Sequence, residues 1–287
     1  MPEMITASQT QRAATTPPAP TSMRASILDM LRQRPELATV PLAFVVVVIL
    51  WEFLTRLLGV SPIIFPGPLA VARALANGFL SGTYWQHLWI TLKEVLGGFA
   101  IGCASGLAIG AVVSQFRIVE KTIFPYFVAL QTVPKLAIAP LFIVWFGFGL
   151  QSKVIIAGLI CFFPMVVNVI EGLQSTDRKQ IDMLRAAGAS GWQVFRMIKI
   201  PNALPFIFVG LDIGIVLAVL GAIVGEFVGA QGGVGYLILQ YNFQLETAKV
   251  FSLIIVLSIT GIALHNLVKW LHRRTVFWIK PEDVVGA

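Results

Sequence analysis

Six apolar stretches, each long enough to cross the hydrocarbon core of a lipid bilayer, constrain this chain more than any other feature. A crossing takes about 20 helical residues, and backbone polar groups in lipid must be satisfied inside the segment itself. The pattern therefore predicts an all-α membrane protein with six transmembrane helices. The stretches cover residues 39–58, 86–114, 119–148, 152–173, 203–230 and 250–271.

The third stretch is less regular than the others. Pro125, Pro134 and Pro140 interrupt it, and Lys135 lies inside it. Proline lacks a backbone donor and obstructs the preceding helical turn, so we expect a kinked or broken helix at this crossing.

The composition agrees with a membrane protein and argues against several other classes. Only 12% of the 287 residues are charged, whereas soluble domains average about 25%. Both cysteines, Cys103 and Cys161, lie in apolar stretches, and the three histidines lack the spacing of metal ligands, so we expect no disulfide and no metal site. The net charge of +7 does not come from one basic soluble surface, and no nucleic-acid partner is predicted.

The basic residues indicate which segments face the cytoplasm. Fifteen of the 21 precede the first stretch, lie near the junction of the second and third stretches (Arg117 and Lys121), lie between the fourth and fifth, or follow from Lys269 onward. Cytoplasmic segments carry such an excess, so both termini and the insert at 174–202 are predicted to be cytoplasmic.

Three segments follow from these limits. Residues 1–38 contain TTPPAPTS and too little apolar material to pack, which predicts a mobile cytoplasmic tail. Residues 39–272 form the predicted transmembrane domain, and residues 273–287 form a cytoplasmic C-terminal tail. The first apolar stretch starts too late and runs too long for a cleaved signal peptide, so we expect it to remain as an anchor.

The polar insert at residues 175–201 carries its own structural signals. Residues 175–177, Ser-Thr-Asp, suit the start of a helix, and Gly188 suits a left-handed end. Ser190, with Gln193 three residues later, predicts a capping box for a second helix, which Pro201 is expected to stop. The insert is thus predicted to be two short helices joined by a tight turn.

Three functions are compatible with such an insert. An ordinary loop whose amphipathic helices rest on the bilayer surface fits the pattern. A DNA-binding helix-turn-helix fits the outline, but the second helix is short, ends beside the membrane and lacks a cluster of base-reading side chains. The third function, a mechanical connection to a partner protein, rests on a sequence motif.

The insert resembles the EAA motif of ABC importer permeases, E-A-A-x3-G-x9-I-x-L-P. The glycine, isoleucine and proline match, aspartate stands for glutamate, isoleucine stands for leucine, and Met-Leu replaces the two alanines. This replacement is common in the subfamily for nitrate, sulfonates, taurine and bicarbonate. In motif order the residues are Asp182, Met183, Leu184, Gly188, Ile198, Ile200 and Pro201.

Five further segments occur in the place and order found in that subfamily. The similarity covers most of residues 39–272, and this ordered set is more specific than one EAA-like match. The segments read FPGPLAVARAL, LKEVLGGFAIG, PKLAIAPLFIVWFGFG, FFPMVVNVIEGL and GEFVGAQGGVGYLI.

The resemblance implies a type I (MetI-like) permease fold with a cytoplasmic coupling helix, in a bacterial inner membrane. It also implies a homodimer, two ABC ATPase subunits at the cytoplasmic face, and a periplasmic or lipid-anchored solute-binding protein. The coupling helix would sit in a groove of the ATPase. The residues expected to make this contact are Asp182, Met183, Leu184, Ala187, Gly188, Ala189, Ser190, Trp192 and Pro201.

The sequence carries no pattern for a catalysed reaction. It lacks the phosphate-binding G-x-x-x-x-G-K-[ST] loop and a G-x-G-x-x-G turn after a strand. No nucleophile is placed with a base, and no pair of carboxylates shares a helical face. We therefore expect a non-catalytic transport subunit without a cofactor, with ATP bound by the partner.

A ridge of small residues on the second stretch has two interpretations. Such a ridge lets another helix approach closely, either within the bundle or at the homodimer contact. It is formed by Gly98, Gly102, Gly106 and Gly110.

Charged residues inside the apolar stretches also have two interpretations. Glu94, Asp212 and Glu226 lie within predicted crossings, and intramembrane charges often serve function. Asp212 and Glu226 are predicted to line the translocation pathway or stabilise its gates, the alternative being buried pairing or bracing of the glycine-rich loop. That loop, residues 229–235, is either a hinge for an outward gate or a simple turn.

Two transport mechanisms compete. The motif favours an ATP-driven importer, whereas an ion-gradient-driven secondary transporter or channel usually shows inverted repeats, which six stretches with one unpaired insert fit poorly. A structural subunit of a membrane complex would have no reason to carry the motif. The expected solute is a small organic anion such as a sulfonate, taurine or nitrate, and the alternative is a thiamine-precursor pyrimidine or an aromatic acid.

Overall fold

The computed structural model describes residues 36–57, 59 and 61–278, and it divides the chain into two units, Met1–Gly59 and Val60–Ala287. In the first unit the helix α1, Glu36–Leu57, coincides with the first predicted crossing. Many of its apolar side chains are exposed, and Arg56 pairs with Glu52 one turn earlier at 2.5 Å. The predicted N-terminal tail lies outside the described residues up to residue 35.

The described part of the second unit consists of helices and their connections, which agrees with the all-α prediction. A 3-10 turn, Lys135–Ile138, precedes α5, and a π turn, Phe195–Lys199, joins α8 to α9. The helices are α2 Pro68–Leu80, α3 Thr83–Val113, α4 Arg117–Thr132, α5 Ala139–Phe146, α6 Leu150–Gln174, α7 Arg178–Ala186, α8 Gly191–Val194, α9 Ile200–Gly229, α10 Val234–Phe243 and α11 Thr247–Thr275.

Among the described residues, 4 helices are long and apolar enough to cross a membrane. They are α3, α6, the continuous helix Gly191–Gly229 that contains α8 and α9, and α11. These correspond to the predicted second, fourth, fifth and sixth crossings. The total of six stays a prediction, in which α1 and the α4–α5 pair would provide the other two.

The predicted third crossing is broken, as its prolines indicated. The helix α4 ends at Thr132, two residues before Pro134, and α5 starts at Ala139 with Pro140 in its first turn. Proline fits the first turn of a helix, where its missing donor has no intrahelical partner anyway. Pro125, by contrast, lies inside α4.

The core lies between α3, α6 and α9. Gly102 of α3 rests on the backbone of α6 at Gly158, where an added methyl group would overlap the Gly158 carbonyl. A Cβ at Gly221 of α9 would lie 2.8 Å from the Ala157 Cα of α6. Small residues thus bring the helix backbones into direct contact. The three helices are therefore closely packed at these glycines.

A second apolar cluster joins the start of α3 to α10 and α11. Tyr84 is buried at its centre, and its hydroxyl lies 2.7 Å from the Ser252 hydroxyl of α11. The polypeptide places this cluster at the end of α9 that lies away from the 175–201 insert. The last helix, α11, continues to Thr275, four residues past the predicted crossing, and residues 279–287 of the predicted C-terminal tail lie outside the described part.

Candidate functional site

The insert begins with α7, which starts where its capping residues indicated. The Asp177 side chain accepts a hydrogen bond from the Lys179 amide at 2.9 Å and caps the helix. No residue of α7 is buried, and Met183 is 65% exposed. The helix is therefore held by its two ends rather than by packing of its own faces.

The turn after α7 has the hydrogen bonds of a Schellman motif. The Ala189 amide donates to the Leu184 carbonyl at 3.0 Å, and the Gly188 amide donates to the Arg185 carbonyl at 3.0 Å. Gly188 has a φ of 84°, in the left-handed region that glycine enters without steric cost. The glycine thus ends α7 and turns the chain directly into the next helix.

The second helix starts with the predicted capping box. The Ser190 hydroxyl accepts from the Gln193 amide at 3.3 Å, and the Gln193 side chain accepts from the Ser190 amide at 2.7 Å. Val194 is buried, but Trp192 is 66% exposed. Two large apolar side chains, Met183 and Trp192, are therefore held outward on a segment whose backbone is fixed by local hydrogen bonds.

The predicted end of this second helix at Pro201 is wrong. The chain continues through the π turn Phe195–Lys199 into α9, and Pro201 lies in the first turn of that helix. The Ile200 amide donates to the Phe195 carbonyl, five residues back, so the helix widens just before the proline. A wider turn accommodates a residue that has no amide donor, and it makes the insert continuous with a membrane-spanning helix.

A side chain that the sequence analysis missed ties this junction to a second long helix. The Asn202 amide group donates to the Ser175 hydroxyl at 2.8 Å, just after the last turn of α6. Gly172 of α6 packs on the same turn of α9, where a Cβ would lie 3.1 Å from the Ala203 Cα. The insert is therefore fixed to α6 and α9 together. The clue was an asparagine next to Pro201, but its partner is 27 residues away.

One face of α7 forms a wall of a cleft of about 630 Å³. The opposite wall comes from the connection between α3 and α4. Asp182 lies on this cleft beside basic residues of its own chain, and its contact with the ATPase stays a prediction. The charged lining residues are Glu120, Lys121, Arg178, Asp182, Arg185 and Lys199.

The glycine ridge of α3 faces α6 of the same chain. A Cβ added at any of its four glycines would come within 3.0 Å of an atom of α6. The ridge is therefore used by packing within the bundle, one of the two interpretations. The facing residues are Ala157 for Gly98, Gly158 for Gly102, Met165 for Gly106, and Val169 for Gly110.

Asp212 lies between α9 and α11. Its Oδ1 is 2.5 Å from the His265 Nδ1, and both side chains are about one-third exposed. The same helix pair carries a ring stack between Phe208 and His272, with centroids 4.7 Å apart. This geometry favours pairing between helices for Asp212, and its role in the pathway stays a prediction.

Glu226 lies at the opposite end of α9 from the insert and is only 1% exposed. Its carboxylate accepts hydrogen bonds from the Thr91 hydroxyl at 2.6 Å and from the Gly235 and Tyr236 amides. This arrangement favours bracing of the glycine-rich loop over direct contact with a solute, and the pathway role of Glu226 stays a prediction.

The sequence matches a family of known transport proteins. Residues 98–277 match the family described as "Binding-protein-dependent transport system inner membrane component". The chain is 36% identical over 238 residues to the riboflavin transport system permease protein of Chloroflexus aurantiacus, with 83% of this chain and 89% of that protein covered.

Two further relatives carry other solute names. The formylaminopyrimidine transport permease protein of Halalkalibacterium halodurans is 33% identical, with 84% of this chain and 96% of that protein covered. A putative aliphatic sulfonates transport permease protein of Bacillus subtilis is 33% identical, with 81% of this chain and 84% of that protein covered.

The fold is also found in a solved structure. A structure described as inward facing conformations of the MetNI methionine ABC transporter superposes with a TM-score of 0.60 and 20% identity, covering 68% of this chain and 97% of that chain. The chain therefore belongs to the family of binding-protein-dependent transport inner-membrane components. Within this family it is an ABC importer permease of the MetI-like type, similar to the sulfonate-type permeases.

Proposed function

We propose that this chain is the pore-forming subunit of an ATP-driven importer, and that motion of a partner ATPase enters it through residues 175–201. The observation that carries the proposal is the construction of the insert. Met183 and Trp192 are exposed on a segment held by a Schellman motif and a capping box. That segment is continuous with α9 and bonded to the end of α6, so a push on it moves both long helices.

The pathway is formed between two copies of the chain. Glycine-mediated backbone contacts pack α3, α6 and α9 closely together. In this proposal the solute therefore passes along an outer face of this bundle, and such a face needs a second wall. A homodimer supplies that wall with the same helices, and closed two-fold pairing is the commonest symmetry of oligomers.

The insert faces the cytoplasm in this proposal, as do both termini. Support comes from the distribution of Lys and Arg along the chain. The last turn of α11 also carries His272, Arg273 and Arg274, which suit a cytoplasmic helix end. The glycine-rich loop after α9 then faces the periplasm, where a solute-binding protein docks.

The transported solute is a small organic anion of the sulfonate type. The relatives are named for riboflavin, a formylaminopyrimidine and aliphatic sulfonates at similar identities, so overall similarity does not choose among them. A feature of the broken third crossing favours an anion. Lys135 is half-buried there, with its ammonium 2.9 Å from the Gln131 carbonyl and 5.2 Å from the centre of the Phe163 ring. Broken helices with a charged group are typical of substrate pathways.

Replacing the charge of Lys135 tests the anion assignment. We expect Lys135→Gln to raise the alkanesulfonate concentration for half-maximal uptake about tenfold, because a charge-assisted hydrogen bond is lost. Lys93→Gln is the matched control, since Lys93 is exposed and lies over the Trp89 ring. Uptake is measured with labelled sulfonate in proteoliposomes that contain the full complex. Equal effects of the two substitutions would contradict a contact between Lys135 and the anion.

The mode of energy supply is tested in the same proteoliposomes. With the ATPase and binding protein present, we expect uptake to require ATP, and Met183→Ala combined with Trp192→Ala to remove most of it. Leu80→Ala is the control, because Leu80 is 85% exposed on α2, away from the insert. Uptake by the permease alone, driven by an ion gradient, would favour the secondary-transporter alternative and contradict the proposal.

A further inference from the structure

The end of α9 opposite the insert contains a buried polar cluster that the proposed function does not explain. It is built by α3, α6 and α9 around the start of α10. Glu94 and Glu226 are each 1% exposed, and Lys153 is 3% exposed. Burying three ionisable groups together is costly unless they compensate one another. Their partners therefore indicate what the cluster does.

The cluster caps α10 with side chains from other helices. The first backbone amides of a helix have no intrahelical acceptor. Here the Gly233 amide donates to the His87 Nδ1 at 3.0 Å, and the Val234 amide donates to the Thr91 hydroxyl oxygen at 2.8 Å. The next two amides, of Gly235 and Tyr236, donate to Glu226 Oε2. Four consecutive amides, from the end of the glycine-rich loop through the first turn of α10, are thus held by α3 and α9.

Glycine is required for this capture at two positions. A Cβ at Gly233 would overlap the Glu226 carboxyl group, and a Cβ at Gly235 would lie 2.7 Å from the Glu226 Oε2. Gly233 also has a φ of 113°, which is strained for any residue with a side chain. The loop backbone therefore rests directly on the carboxylate of Glu226.

Glu226 has the environment of an ionised carboxylate. It accepts from two backbone amides, and the single proton of the Thr91 hydroxyl is donated to its Oε1 at 2.6 Å. Donors that converge on both oxygens favour the charged form, and the N-terminus of α10 adds a favourable dipole.

Glu94 has the environment of a neutral acid. It lies one helical turn after Thr91 on α3, and both residues are buried. Because Thr91 donates to Glu226, Glu94 and Glu226 share one buried site. Within the described part of the chain, its Oε2 is buried without a donor. Two adjacent carboxylates have no proton to share, and a buried anion without a donor is strongly disfavoured. A proton on Glu94 removes both problems, because the acid can donate to Glu226.

The charges that face the pair fit this assignment. Lys153 provides one positive charge, and its ammonium donates to the Phe148 carbonyl at 2.7 Å and the Gly149 carbonyl at 3.1 Å. The His87 Nδ1 lies 3.0 Å from the Gly233 nitrogen and 3.1 Å from the Gly233 carbonyl oxygen, and the Tyr236 ring stacks on the imidazole. The cluster thus contains one lysine for two buried carboxyl groups, which favours a proton on one of the two carboxyl groups.

We propose that Glu94 is a protonated acid that donates to ionised Glu226, and that this pair positions the glycine loop 230–235 as a latch on the outward gate. The assignment of the loop to the outward face rests on the proposed function. Glu94 and Glu226 are positioning residues in this proposal, since they act on the transport path through the loop and not by touching the solute.

The proposal predicts opposite outcomes for two isosteric substitutions. Glu94→Gln keeps a donor toward Glu226 and leaves amide hydrogen exchange at residues 233–236 within about twofold of the wild type. Glu226→Gln removes a charged acceptor and speeds that exchange about tenfold or more. In infrared spectra of the purified protein, the carbonyl band of a protonated carboxylic acid is lost in Glu94→Gln. It is retained in the control Glu171→Gln, whose carboxyl group is exposed at the other end of α6.

Thr91 provides a second test that does not alter either carboxyl group. Thr91→Val removes the hydroxyl that links Glu226 to the Val234 amide and speeds exchange at 233–236, whereas Thr91→Ser restores the wild-type rate. The latch is refuted if Glu94→Gln speeds exchange as much as Glu226→Gln or Thr91→Val, or if the infrared band survives Glu94→Gln. Both readouts work without ATP. They therefore test the latch even if the uptake experiment refutes the importer function. The uptake experiment likewise tests the importer function even if the exchange and infrared measurements refute the latch.

Discussion

Gly188 and Gly191 are close neighbours in the insert, but only one of them needs to be glycine. Neither has an atom within 4 Å of the place a Cβ would occupy, so space does not distinguish them. Gly188 has a φ of 84°, whereas Gly191 is the first residue of α8 and is not among the glycines with positive φ. A left-handed conformation costs other residues about 1–2 kcal/mol, and a β-branched side chain is among the least tolerated.

Valine at each of these glycines separates backbone strain from added bulk. We expect Gly188→Val to reduce coupling, measured as ATP-driven uptake and solute-stimulated ATP hydrolysis, roughly tenfold, because the Schellman turn is strained by about 1–2 kcal/mol. Gly191→Val adds the same side chain without that strain and is expected to retain most activity. Membrane insertion should be unchanged in both. Full activity in Gly188→Val would show that the turn does not transmit motion.

The insert is connected to two long helices, α6 and α9. The insert passes through the π turn into α9, and Asn202 bonds this junction to Ser175 at the end of α6. Gly172 of α6 also packs closely against the first turns of α9, which limits relative movement of the two helices. In the proposed mechanism, motion at Met183 or Trp192 is therefore transmitted to both α6 and α9.

Removing the Asn202 side chain should weaken the connection between the insert and α6, because the bond to Ser175 is lost. We expect Asn202→Ala to lower ATP-driven uptake severalfold while ATP hydrolysis continues, because α6 no longer follows α9. Asn168→Ala is the control, since the Asn168 amide donates to the Pro164 carbonyl of its own helix at 2.8 Å. The two activities are measured in the same proteoliposomes. A parallel loss of hydrolysis and uptake in Asn202→Ala would mean that the bond serves docking rather than transmission.

The sequence was informative where local interactions decide the structure. The cap at Asp177, the left-handed Gly188, the capping box at Ser190 and the break near Pro134 all depend on neighbours within a few residues. The prediction that Pro201 ends the second helix was wrong, because a π turn accommodates the proline and no sequence pattern predicted that turn.

The contacts that long-range packing creates could not be predicted. Thr91 and Glu226 are 135 residues apart, and His87 meets the Gly233 amide across 146 residues. Only the folded bundle places such pairs together. Glu226 could be predicted as a candidate because it is a charged residue in an apolar stretch, but the sequence did not show that Glu94 lies near it. The glycine ridge was visible from its spacing, whereas its partner helix α6 was not.

At the scale of the whole molecule, α9 runs from the insert to the buried carboxyl groups. It has 30 residues, or about 45 Å at 1.5 Å per residue. The insert lies at one end and the carboxyl pair with the glycine loop at the other. Packing against α3 and α6 through glycine contacts makes this helix part of a stiff core. In the proposed mechanism, motion that a partner ATPase applies to the insert is transmitted along α9 to the glycine-rich loop.

The most direct test of this account is whether the insert touches a motor subunit. Both native cysteines are buried, so a cysteine introduced at an exposed position is selectively accessible to a short bifunctional reagent. With the assembled complex, we predict that Met183→Cys and Trp192→Cys cross-link to the ATPase subunit and that Leu80→Cys does not. Absence of cross-links from both insert positions, in a complex that still transports, would contradict the claim that motion enters through residues 175–201.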